Sequence, residues 1–242
     1  MAGKQTNFTL AQPKGAGQKG MTKQVLIENG VPTPRYRILQ QPKIPRRHGL
    51  HYPLIIKPAR EDASSGVEKT FVVHDYAELS DKLERVFGEF TPPILVEEFI
   101  EGKELHVSVF GNDPPAVLSM IEFDFSELPG DHPSIITYDV KWNPLDPAYH
   151  RVHSHCPARI SKRVERRLAD EALKAYRITG CRDYARLDIR LSKENKPYVL
   201  EVNPNPDLTE GVSFMESAEK AGMKFAETLR KIVEFALARP SK

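Results

Sequence analysis

Two runs near the C-terminal third, 184–191 and 197–203, alternate apolar and polar residues, and a polar segment, 192–196, joins them. Period-two alternation on both sides of a short polar connection predicts a β-hairpin. Side chains two apart on a strand share a face. Arg186 therefore lies with Asp188 on the first strand and Glu201 with Asn203 on the second, while Leu187, Ile189, Val199, Leu200 and Val202 are the apolar neighbours. Symmetric closure of the loop sets Asp188 opposite Glu201 and Arg186 opposite Asn203.

The pattern elsewhere predicts a helix over 19–29, with Val25, Leu26 and Ile27 on its inner side and Gly30 as its stop. Strands are expected at 35–39, 54–57 and 71–73, followed by a helix that Asp75 caps and that runs to about residue 88. Further strands are expected at 94–100, 105–110, 116–125 and 135–140, with a short one near Arg151. Helical spacing at Val164, Leu168, Ala172, Leu173 and Tyr176 predicts a helix over 160–179, and two more follow at 214–221 and 224–238. Residues 1–18, rich in Gly, Pro, Lys and Gln, read as a disordered N-terminal segment. Strands in the middle with helices around them give an α+β class, and no internal repeat is present.

Composition narrows the class. At 242 residues, 40% hydrophobic and 28% charged, the chain is long and apolar enough for a real core. A net charge of +2 demands neither nucleic acid nor a membrane surface as partner. Two cysteines, Cys156 and Cys181, make no disulfide framework, and the expected compartment is the cytoplasm. No apolar run reaches membrane-spanning length.

The hairpin is the first candidate for chemistry. Facing carboxylates on a buried sheet repel and lose solvation unless a cation sits between them. Oxygen ligands from Asp188, Glu201 and Asn203 suit magnesium; a salt-bridge ladder of Arg186, Asp188 and Glu201 on a solvated face is the other reading. In PLIIKPAREDASSGV, Lys57 ends a strand before a small-residue loop with Ser64, Ser65 and Gly66, which suits phosphate binding as well as an ordinary hairpin tip. In ILVEEFIEGKEL, the segment Glu97, Glu98, Phe99, Ile100 can offer backbone groups and an apolar wall to a flat ring, with Glu104 free for sugar hydroxyls; a plain turn with solvated charges is the alternative. Lys141 in TYDVKW and Lys19 at a helix start are ordinary solvated lysines when taken singly. His150, His153, His155 and Cys156 match no tetrahedral metal spacing and read as a strand that lines a cleft or faces water.

Taken together and in order, RLD and LEVNPNP at a spacing of 13 residues (188 to 201), VEEFIEGKE and YDVK resemble the ATP-grasp superfamily, in its D-alanine:D-alanine ligase branch, over about 19–237. The resemblance implies two α+β lobes whose antiparallel sheets clasp ATP. It divides the chain into an N-terminal helix and connector (19–52), a small lobe with the phosphate loop (53–96) and a large lobe with the hinge and metal site (97–242). It implies that Asp188, Glu201 and Asn203 bind magnesium ions, a pair of them, with manganese as a substitute. Arg186 and Lys141 are the implied catalytic residues; Lys19, Lys57 and Lys141 meet phosphates, as do Ser64, Ser65 and Gly66. Glu97, Glu98, Phe99 and Ile100 form the adenine hinge, and Glu104 takes the ribose.

The implied reaction uses ATP to activate a small carboxylate as an acylphosphate for attack by an amine, with amino acids or peptides as substrates and ADP as product. A nucleotide-binding module that needs a partner is the alternative. The chain begins about where the ligases' N-terminal domain would end, so a homodimer or a partner domain is expected to supply that surface. Where D-alanine ligases carry Pro-Gly this chain has Pro206-Asp207. A carboxylate there would repel a substrate carboxylate, and GVSFMES fits a D-alanine carboxylate site poorly, so the expected product is not the D-alanyl dipeptide.

Overall fold

The computed structural model describes residues 18–60, 71–128, 132–136, 145 and 150–238. Residues 1–17, the small-residue loop with Ser64, Ser65 and Gly66, and Lys141 lie outside the described residues.

The first layer is a four-stranded antiparallel sheet. Helix α1 (Gln18–Glu28) precedes strands β1 (Tyr36–Leu39), β2 (Leu54–Pro58) and β3 (Val72–Val73), helix α2 (Tyr76–Glu89) and strand β4 (Ile94–Glu98), and the sheet runs β1-β4-β2-β3. Asp75 accepts from the Glu78 N–H at 2.9 Å and so satisfies one of the first-turn donors of α2. The buried residues of α2, Leu79, Leu83 and Val86, pack on Leu54, Ile56, Ile94 and Val96. Ile44 and Leu50 join that core, so the segment expected as a connector forms part of this layer.

The second layer is larger. It holds β5 (Gly102–Phe110), β6 (Ala116–Val117), β7 (Ile121–Asp124), β8 (His153–His155), helix α3 (Lys162–Ile178), and the hairpin β9 (Tyr184–Ser192) and β10 (Pro197–Asn203), with α4 (Ser213–Lys220) and α5 (Phe225–Ala238) after it. The order is β10-β9-β5-β7-β8, with β6 also on β5. Leu168, Ala172, Ala175 and Tyr176 of α3 cover Leu105, Val107, Leu187, Ile189, Val199 and Val202 on one face. Gly102, φ +139°, lies where an added Cβ would meet the Leu191 carbonyl oxygen at 2.0 Å, so the chain enters β5 through a gap that only glycine leaves open.

Four expectations need correction. The strand over 94–100 stops at Glu98, and 116–125 splits into β6 and β7 because Met120 turns its carbonyl to the Ala158 N–H, 2.8 Å away. Ile135 and Ile136 are not in a strand: the Ile135 N–H turns back to the Pro133 carbonyl and the Ile136 N–H reaches Glu104. The rest of that expected strand lies outside the described residues. Within α1, Leu26 is buried but Ile27 is 54% exposed, since adjacent helical residues point in different directions. One buried face carries Lys19, Thr22, Lys23 and Leu26, spaced i, i+3, i+4, i+7, and is mostly polar, with Gly20 and Met21 buried beside it. No helix among the described residues is long and apolar enough to cross a membrane.

Candidate active site

The face of the large sheet opposite α3 carries the polar residues in rows. Across β5, β9 and β10 one row reads His106, Asp188, Glu201, and the next reads Ser108, Arg186, Asn203. The expected pairing of the hairpin is present, but symmetric closure does not produce it. Pairs run from Leu191 opposite Pro197 to Ile189 opposite Val199, and then a bulge at Leu200 brings Glu201 opposite Asp188.

Arg186 donates to Asp188 through two bonds, Nε to Oδ1 at 2.7 Å and Nη2 to Oδ2 at 3.0 Å. Burial would lower the Arg186 pKa, but the Asp188 carboxylate beside it outweighs that and raises it. His106 Nε2 lies 3.5 Å from Asp188 Oδ1, and its Nδ1 is 2.9 Å from Ser213 Oγ at the start of α4. Lys19 Nζ lies 3.9 Å from Glu201 Oε2. The ladder of Arg186 and Asp188 is therefore real, but it lines a cleft rather than a solvated face. Each carboxylate oxygen has two lone-pair directions, so an arginine fork leaves acceptor capacity for a cation. Among the described residues no three His, Cys, Asp or Glu side chains form a metal-binding group. The magnesium candidates are two carboxylates and an amide, hard donors on two paired strands, in keeping with an ion that takes few protein ligands.

The cleft has two connected parts. The larger, about 970 Å³, is lined by Lys19, His106, Arg186, Asp188, Glu201 and Asn203, among others. The smaller, about 90 Å³, is lined by Lys57, Glu97, Glu98, Phe99, Ile100, Glu104 and Arg190. Lys19, Asp188, Leu200 and Glu201 border both. The sequence-predicted residues that the structure describes thus share one cleft.

Within the smaller part the charges are paired and buried. Glu97 sits between two lysines: Lys23 Nζ is 2.7 Å from its Oε2, and Lys57 pairs with its Oε1. Burial alone would raise the Glu97 carboxyl, but the two ammoniums hold it at about 2. Burial pushes Lys23 down despite Glu97; for Lys57 the pull of Glu97 overcomes burial and raises it. Glu98 points away and accepts from the His51 N–H at 2.9 Å. Arg190, only 2% exposed, donates to Glu104 at 3.2 Å and to the carbonyls of Ile100 at 2.8 Å and Ser134 at 2.6 Å, and its guanidinium lies over the Phe99 ring. Arg190 thus ties Glu104 to the chain around Phe99 and Ile100.

The larger part is also lined by Asn205, Asp207, Thr209, Ser213 and Glu216. Bonds from the Thr209 hydroxyl and N–H hold the Asp207 carboxyl below its usual range. Sequence reasoning missed Lys23, His106 and Arg190. The signals were there: Lys23 stands one helical turn after Lys19, and His106 and Arg190 stand two residues from Glu104 and Asp188 on the same strand faces.

A family model described as D-ala D-ala ligase C-terminus matches residues 25–234. The chain belongs to this family. The uncharacterized protein y4sG of Sinorhizobium fredii is 31% identical, an alignment that covers 96% of this chain and 67% of that protein. The D-alanine--D-alanine ligase of Carboxydothermus hydrogenoformans is 32% identical over 90% of this chain and 68% of the ligase. Among solved structures, the D-alanine--D-alanine ligase from Bacillus anthracis complexed with ATP is similar at a TM-score of 0.71 and 26% identity, which covers 90% of this chain and 66% of that one. The chain spans about two thirds of the length of these relatives. Its fold is the ATP-grasp fold of this ligase family, with the cleft between the two sheets.

Proposed function

We propose that the chain binds ATP between its two sheets and, within an ATP-dependent ligase, activates a carboxylate as an acylphosphate for attack by an amine, with ADP released. The observation that carries this reading is the convergence of Lys19, Lys57, Arg186, Asp188, Glu201 and Asn203 on one cleft, whose smaller part has Phe99 and Ile100 in its wall. Phosphoryl transfer needs alignment and positive charge more than covalent help from the protein. Lys57 and Lys19 would bring charge to the phosphates, with Lys141 and the loop of Ser64, Ser65 and Gly66 added by the resemblance. Phe99 and Ile100 give a flat base an apolar wall, and Glu104 accepts from ribose hydroxyls. Arg186 stands where charge develops on the transferring group. Asp188, Glu201 and Asn203 would hold magnesium, which when bound supplies Lewis-acid polarisation of phosphate oxygens.

The test is ADP release with Mg·ATP and pools of small acids and amines, beside a calorimetric titration with Mg·ATP alone. Turnover that requires both an acid and an amine supports the ligase. A second reading is a nucleotide-binding module that works with a partner, since the family model that matches describes the C-terminal part of a ligase. It predicts Mg·ATP binding without turnover, and no binding at all would sink both readings.

A further inference from the structure

The buried cluster under the smaller part of the cleft holds two ammoniums against one carboxylate. Lys23 is fully buried and does not line the cleft, whereas Lys57 does. Lys23 Nζ donates to Thr33 Oγ1 at 2.9 Å and pairs with Glu97 Oε2, while Glu97 Oε1 holds Lys57. Among the described residues the other acids that act on Lys57, Glu201 and Glu104, each have a further partner, Lys19 and Arg190. Burying a lysine is costly, and neutralising Glu97 does not require it, because Lys57 alone would do so. What the second lysine changes is the charge left on the first. With Lys23 present, Glu97 is shared, and Lys57 carries surplus positive charge at the cleft wall. Without Lys23, Glu97 would pair with Lys57 one to one and cancel it.

We propose that Lys23 is a positioning residue for nucleotide binding, which acts through Glu97 to keep the Lys57 ammonium available to an anionic phosphate. The inference rests on the nucleotide reading of the cleft. It differs from a direct phosphate contact, because Lys23 has no access to the ligand, and from a purely structural ion pair, because it predicts a pattern that depends on charge.

The experiment measures Mg·ATP dissociation constants by calorimetry, with thermal unfolding to show that each full-length variant is folded. K23M is expected to weaken binding about tenfold, in the range for losing an orienting partner. K57M weakens it as much or more. K23M/E97Q, which removes the carboxylate that would cancel Lys57, is expected to recover most of the loss. K23M/E97Q as weak as K23M, or weaker, overturns the proposal. Should K23M fail to fold, T33V, which removes the other partner of Lys23 Nζ, is expected to weaken binding about threefold, a smaller loss of orientation of the same kind; unchanged affinity there counts against it. A wild-type chain that does not bind Mg·ATP removes the nucleotide reading and this inference together. A wild type that binds, matched by K23M, removes the inference alone.

Discussion

The two faces of strand β9 are both shielded from water by opposite means. Leu187, Ile189 and Leu191 point into a core closed by α3; Arg186, Asp188 and Arg190 point into the cleft, where ion pairs and hydrogen bonds replace water. The first face gains free energy from burial, roughly 25 cal/mol for each Å² of apolar surface. The second loses hydration, which its pairs recover only in part. A sheet that keeps such a face is ordered by something other than its own stability, and the cleft it builds is where that cost has a use.

The sharpest test of this contrast is Leu187→Ala, on the core face. It should lose about 3 kcal/mol of unfolding free energy in urea, from lost burial and the cavity left behind, while Mg·ATP affinity of the folded molecules stays near that of the wild type. Glu201→Gln, on the cleft face, should do the reverse: metal-dependent ATP turnover falls by about two orders of magnitude, as for loss of a charged transition-state partner, with stability little changed. Equal loss of both in either variant would erase the distinction between the faces.

A smaller effect concerns acid. The Glu97 carboxyl titrates at about 2 in the folded chain against 4.5 for the free group. A depressed carboxyl stabilises the fold above its unfolded pKa, and that contribution drains away as pH falls from about 4.5 towards 2. Glu97→Gln should therefore flatten this part of the stability curve, as read by urea unfolding at pH 5 and pH 3; an unchanged slope would show that Glu97 is not held by its lysines. Smallest of all, Glu98→Ala should change stability by less than about 1 kcal/mol and leave Mg·ATP affinity as it is, because Glu98 pairs with the exposed His51 and Arg35.

Much of this was legible in the residues. Alternation along 184–203 marks both faces at once, so the core and the candidate metal set came from one pattern. The bulge left only the adjacent pair Val199 and Leu200 as its trace, too little to show which residue is passed over. The break between β6 and β7 depends on Ala158, far along the chain, and local periodicity carries no record of such a bond. Lys23 escaped notice because a lysine near a helix start is ordinarily solvated; only folding brings Glu97 to it from a strand more than seventy residues away. Arg190 was hidden likewise, since its partners Ile100, Glu104 and Ser134 come from separate segments.

The lysine ladder of α1 has one more consequence. Lys19 reaches Glu201 on one sheet and Lys23 reaches Glu97 on the other, so a single turn of helix, with a rise of roughly 6 Å, acts as a spacer bar between the jaws. The placement of these two acids, one on each jaw, is thereby tied to a single helical turn.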